Sequence, residues 1–126
     1  MAEAVITLEA RKKMVRARAG EITLPKIVGM AIGTGGVDAS GNPVDPSSND
    51  TSLKNEILRK EIDSYSFVDD TTCRYLCTLE TNECIDEKIN EIGLYDEDGD
   101  LVAIRTFKDK TKDDDLEMTF RVDDIF

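Results

Sequence analysis

Two apolar runs separated by an acidic, glycine-containing turn restrict this chain more than any other segment: Glu91-Ile92-Gly93-Leu94-Tyr95-Asp96-Glu97-Asp98-Gly99-Asp100-Leu101-Val102-Ala103-Ile104. Ile92 with Leu94, and Val102 with Ile104, repeat at the period of two that a half-buried strand needs. Asp98-Gly99 tolerates the positive φ angles of a tight turn. A β-hairpin over residues 90–107 is predicted.

The segments before the hairpin alternate between helix, strand and turn signals. Residues 7–19 are predicted to be a helix, with Thr7 at the N-cap, Glu9 in the first turn, bases through the later part and Gly20 as the stop. At 100° per residue Leu8, Val15 and Ala19 fall on one stripe, and Ala10, Met14 and Ala17 on nearly the opposite one. Two apolar stripes suggest two packing partners, one of them this chain's own sheet and the other a neighbouring subunit. From Ile22 the pattern turns to strand, with Lys26–Gly33 apolar on both faces and Gly29, Ala31 and Gly33 permitting close backbone approach. Residues 37–52 form a long polar loop rich in turn-forming residues, of a length that is uncommon unless the loop binds something or orders on assembly.

Leu53–Ile62 is predicted to begin as a short helix capped by Thr51 or Ser52 and to lead into sheet. Tyr65 and Phe67 alternate with polar neighbours, and Cys73, Tyr75, Cys77 and Leu79 share one side of a second run, so antiparallel partners joined at Asp69-Asp70 are expected. After a charged loop, Lys108–Asp115, the last strand is Leu116–Val122. The fold class expected is α+β: an amino-terminal helix packed on a mainly antiparallel sheet or sandwich, with a long polar loop.

With 126 residues the chain fits one domain, 1–126, large enough to sustain a core without metal or disulfide staples. No apolar stretch approaches the roughly 20 residues that span a bilayer. The amino terminus, Met1-Ala2-Glu3-Ala4-Val5-Ile6, lacks the features of a signal peptide, which places synthesis in the cytoplasm. The net charge is −11 and unevenly placed: the first twenty residues hold five bases against two acids, net +3, leaving −14 for the remainder. Such an acidic body repels nucleic acid and anionic membranes, whereas the basic helix can seek an acidic neighbour, including another copy of itself.

Catalysis by Ser-His-Asp or Cys-His is excluded, because the chain has no histidine. Nothing singles out a catalytic pair among 27 acids. Cys73, Cys77 and Cys84 read as reduced core thiols: Cys73 and Cys77 on one strand stand roughly 13 Å apart, beyond bridging distance, and no zinc ligand set is present. Gly33-Thr34-Gly35-Gly36 lacks the spacing of a phosphate loop and reads as a turn. Asp96-Glu97-Asp98-Gly99-Asp100 resembles the start of a calcium-binding EF-hand loop, but the glycine falls at position 4 instead of 6 and position 12 is Phe107. A hairpin tip is the reading adopted. No catalytic, metal or cofactor site is predicted.

In order, the helix opening at Thr7-Leu8-Glu9-Ala10-Arg11 and followed by Gly20-Glu21, the small-residue run Ile27–Gly36 with its glycine turn, the polar loop, Thr51-Ser52-Leu53-Lys54-Asn55-Glu56, the sheet and the hairpin block from Glu91 through Gly-Leu-Tyr-Asp resemble the amino-terminal module of phage tail-collar and tail-fibre proteins. The resemblance covers most of the chain and rests on the order of the motifs more than on any one. It implies a non-enzymatic structural component of a phage or phage-like tail that attaches a fibre or receptor-binding protein to the baseplate, located in the virion tail. No fibrous shaft follows the hairpin, which implies either a small stand-alone baseplate or adaptor protein or a relation at the level of fold. The expected partners are other phage tail or baseplate proteins in a homo-oligomeric assembly, with no nucleic acid and no membrane. Arg11, Lys12, Arg16 and Arg18, with the 37–52 loop, are the expected contacts. The alternative from another class is an acidic DNA mimic that inhibits a nucleic-acid-binding enzyme, distinguished by salt-sensitive competition with DNA. A third is a calcium-dependent binding module.

Overall fold

A computed structural model describes residues 4–126, so the amino-terminal reading of Met1-Ala2-Glu3 lies outside the described residues. Strand β1 (Val5–Ile6) leads into helix α1 (Leu8–Arg18), followed by β2 (Ile27–Gly33), β3 (Glu56–Glu61), β4 (Ser64–Asp69), β5 (Thr72–Leu79), β6 (Lys88–Asp96), β7 (Leu101–Thr111) and β8 (Met118–Ile125). These strands form a five-stranded sheet in the order β1-β7-β6-β2-β3 and a three-stranded sheet in the order β4-β5-β8, and every pairing is antiparallel.

The α+β expectation is therefore corrected. Among the described residues the only helix is α1, 11 residues long, and the architecture is largely β. The physical reason lies in Leu53–Ile62, where the expected short helix is absent. The backbone N–H groups of Lys54 and Asn55, which a first helical turn would leave unpaired, are bound by a side chain, and the chain then pairs with β2 from Glu56 onward. Ladder bonds such as Ile32↔Leu58 and Met30↔Lys60 override a local propensity worth only tenths of a kcal/mol per residue.

The two sheets share one core. Met30 and Ile32 of β2, Ile92 and Leu94 of β6, and Ala103 and Phe107 of β7 meet Cys77 and Leu79 of β5 and Phe120 and Val122 of β8. The strand period alone produces this arrangement, since each pair is two or four residues apart and so faces the same way. On the opposite face of the large sheet Ala31, Leu101 and Ile104 pack with Leu53, which the polar loop delivers. A close approach fixes this part of β2: a Cβ on Gly29 would collide with Cζ and Oη of Tyr95, whose ring also carries the Arg59 guanidinium 4.8 Å from its centroid.

The hairpin matches its prediction, with Gly99 at φ 84° in the turn, but β7 continues to Thr111 and shortens the expected charged loop. Strand β8 likewise starts later than expected and runs three residues past Val122. The three cysteines are unbridged, and burial pushes the Cys77 thiol up to about 11. A fully buried, protonated thiol of this kind packs as a small apolar side chain.

β5 and β8 are also joined by a forked ion pair, Arg74 Nε and Nη2 donating to Asp123 Oδ1 and Oδ2 at 2.8 and 3.1 Å. Hydrogen bonding from Arg74 holds the Asp123 carboxyl below the usual carboxylate value. A depressed carboxyl pKa stabilises the fold above its unfolded value, and that stabilisation is lost as pH falls through the folded one. Urea midpoints measured from about pH 5 to about pH 2 should therefore fall, and Asp123→Asn should give a shallower decline; equal slopes would show that the pair contributes nothing.

Candidate docking surface

The geometry of α1 is set at its first residue. Thr7 is fully buried; its hydroxyl donates to the Leu101 carbonyl at 2.7 Å and accepts from the Ala10 N–H at 3.2 Å, capping the helix and joining it to β7 at once. The inner stripe is Ala10, Met14 and Ala17, of which Ala10 is buried and the other two are half-buried. This is the stripe that faces the chain's own sheet.

Lys13, about 60° round the helix from Ala10 at 100° per residue, completes the attachment. Its ammonium donates to Asp96 Oδ2 at 2.7 Å, Asp98 Oδ2 at 3.1 Å and Asp100 Oδ2 at 2.7 Å. Asp96 in turn accepts the backbone N–H groups of Asp98 and Asp100, so the turn is organised around one carboxylate that is nearly inaccessible. Burial pulls the Lys13 pKa down, but the hydrogen bonds it donates to Asp100, Asp96 and Asp98 outweigh this and hold it above the ordinary lysine value. The three acids that resembled a calcium loop do converge, within 4.8 Å of one another, yet an ammonium from the same chain occupies their centre.

With Lys13 turned inward, the remaining bases face out. Arg11, Lys12, Arg16 and Arg18 are all exposed, but they do not form one cluster. Helical spacing puts Arg11 beside Arg18 and Lys12 beside Arg16, as two pairs on either side of Leu8, Val15 and Ala19. That stripe is uncovered: Val15 is 70% and Leu8 43% exposed. Lys12 meets Glu9 and Arg16 meets Glu21, each at 3.3 Å and in the open, where such pairs are worth less than about 1 kcal/mol. They do not restrain these side chains strongly.

The 37–52 loop is held at both ends by a residue whose importance the sequence reading missed. Glu91, 1% exposed, accepts the N–H of Gly35 at 2.7 Å, of Lys54 at 2.8 Å and of Asn55 at 2.9 Å. Its neighbour Asn90 accepts from Gly36 N at 2.7 Å, and the Thr106 hydroxyl donates to the Val44 carbonyl at 2.9 Å. Beyond these anchors the loop is mostly exposed and makes its own turns, as where Asp38 accepts from the N–H groups of Ser40 and Asn42. In the sequence Glu91 shows only as a polar residue on the face of β6 opposite Ile92 and Leu94, with nothing to mark it as buried.

Three of the segments that carried the resemblance, the glycine turn, Lys54-Asn55 and the Glu91 strand, thus meet at one carboxylate. A family model described as phage tail-collar fibre protein, N-terminal, matches residues 1–122. The chain belongs to this family. No individual curated protein matches it. Membership makes it a structural component of the phage tail whose neighbours are other tail proteins. No helix among the described residues is long and apolar enough to cross a membrane.

Lys13→Met should destabilise the protein by about 2–3 kcal/mol, because it leaves Asp96 buried and unpaired beside two further acids. Millimolar calcium should leave the melting temperature of the unaltered protein within about 1 °C, since the ammonium already fills the acidic turn; a rise of several degrees would reinstate the calcium reading. Glu91→Ala should cost about 3 kcal/mol and speed amide exchange at Gly35, Lys54 and Asn55 above that of the sheet core.

Proposed function

We propose that this chain, as one module over residues 1–126, attaches a fibre or receptor-binding protein to the baseplate of a phage or phage-like tail, acting by docking and without catalysis. The observation that carries this reading is the outer face of α1. An exposed apolar stripe flanked by Arg11 with Arg18 and by Lys12 with Arg16 is a surface for a partner that is apolar at its centre and acidic at its margins. The 37–52 loop, clamped at its ends and exposed between them, is a second contact. Charge complementarity at the margins sets orientation and approach rate, while the stripe supplies the buried area. The assembly is homo-oligomeric in this reading and involves neither nucleic acid nor membrane.

Alanine at Arg11, Lys12, Arg16 and Arg18 together should leave the melting temperature nearly unchanged, as exposed helix positions tolerate it, while reducing incorporation into particles measured by mass spectrometry against the tube protein. Unchanged incorporation would remove the helix from the docking surface. Absence of the unaltered chain from intact particles, with abundance in induced cells, would favour the DNA-mimic inhibitor instead.

A further inference from the structure

The two sheets diverge where the small sheet passes α1. Register sets Phe67 of β4, Cys73 of β5 and Asp124 of β8 side by side, one row beyond Tyr65, Tyr75 and Val122. Phe120 and Val122 are core residues, so Asp124, two further along the strand, also faces inward. Ile27, Asp96 and Val102 of the large sheet border this row across a gap. A cleft of about 430 Å³ opens there, and its far wall is Met14 of α1 with Leu24 and Pro25.

Three observations make this cleft more than a packing gap. First, Asp124 lines it while only 6% exposed, and its Oδ1 has no hydrogen-bond partner. Burial alone raises its carboxyl above the ordinary aspartate value, with no neighbouring base to offset it. Lys13, which also borders the cleft, is committed to Asp96, Asp98 and Asp100. Second, the rim is aromatic and open: Tyr65 is 61%, Phe67 75% and Phe126 64% exposed, with Leu24 at 49%. A contiguous exposed apolar patch of this kind marks an interaction surface. Third, the Tyr65 ring packs against both Phe67 and Tyr75, at centroid distances of 6.0 and 6.2 Å, which holds the rim rings in place.

A buried acid without a partner, reached through aromatic rings, is complementary to one kind of group. We propose that this cleft receives a lysine or arginine side chain from an apolar-flanked segment of a different tail protein, its charged head pairing with Asp124 and its stem lying along Tyr65 and Phe67. The long apolar stem suits the ring-lined entrance, and a cation gains from ring faces as well as from the carboxylate. The remainder of the chain, at −14 beyond the first twenty residues, favours a basic partner over a second acidic copy. This surface is distinct from the outer face of α1, and its test does not depend on particle assembly.

The probe is N-acetyl-arginine methylamide, titrated into the full chain while the ring signals of Tyr65, Phe67 and Phe126 are followed by NMR, with the citrulline methylamide as the uncharged control. The arginine amide should shift these signals saturably and bind roughly tenfold tighter than citrulline. Asp124→Asn, which removes a charge that gains nothing from its surroundings, should melt no lower than the unaltered protein and should abolish the difference. Tyr65→Ala, at an exposed rim position, should weaken both probes without unfolding. No response in the cleft, equal binding of the two amides, or undiminished preference in Asp124→Asn would each overturn the proposal. So would concentration-dependent shifts of the same signals without probe, which would assign the cleft to a second copy.

Discussion

A carboxylate with almost no access to water holds three backbone N–H groups from two distant segments, and the arrangement of the large sheet follows from it. Glu91 bonds Gly35 just after β2 and Lys54 with Asn55 just before β3, so the two strands enter their ladder in register with the intervening loop closed. The magnitudes favour this solution. Closing a flexible loop of about sixteen residues costs on the order of 2–3 kcal/mol, whereas hydrogen bonds to a charged acceptor contribute about 1.5–3 kcal/mol each. The clamp therefore offsets the loop and leaves its exposed middle free to vary.

The amino-terminal helix is fixed by the same chemistry used in the opposite sense. There one cation gathers three acids, and the Thr7 cap ties the first turn to β7. Because Lys13 is held strongly and Lys12 and Arg16 only weakly, the rotation of α1 about its axis is decided by its inner face. The outward stripe and its flanking bases are a consequence of that decision.

How much of this was legible in the sequence depended on how local the signal was. The hairpin, the Thr7 cap, the Ala10–Met14–Ala17 stripe and the alternation from Cys73 to Leu79 are set by neighbouring residues, and the structure has them. The helix expected at Leu53 failed because β2, more than twenty residues earlier in the chain, claims the backbone groups from Glu56 onward for its ladder. The end of β8 was misread for a related reason. Asp123 and Asp124 look like a polar tail, yet Arg74 pairs the first and the ladder to β5 draws the second inward. Lys13 was indistinguishable by composition from Arg11, Lys12, Arg16 and Arg18; only its position on the edge of the inner stripe set it apart. The α+β expectation gave weight to the amino-terminal helix, which at 11 residues is a small part of a chain that long-range pairing makes largely β.

The pairing of β1 with β7, and of Thr7 with Leu101 across 94 positions, also imposes an order on biosynthesis. At roughly 5–20 residues per second on the ribosome, the first strand emerges several seconds before the strand it must join. Until then the helix has neither its cap contact nor the acids that hold Lys13, and all five of its bases are solvated. The module therefore completes its amino-terminal end late, although that end is made first, and the outward charge pattern of α1 exists only once the hairpin has formed.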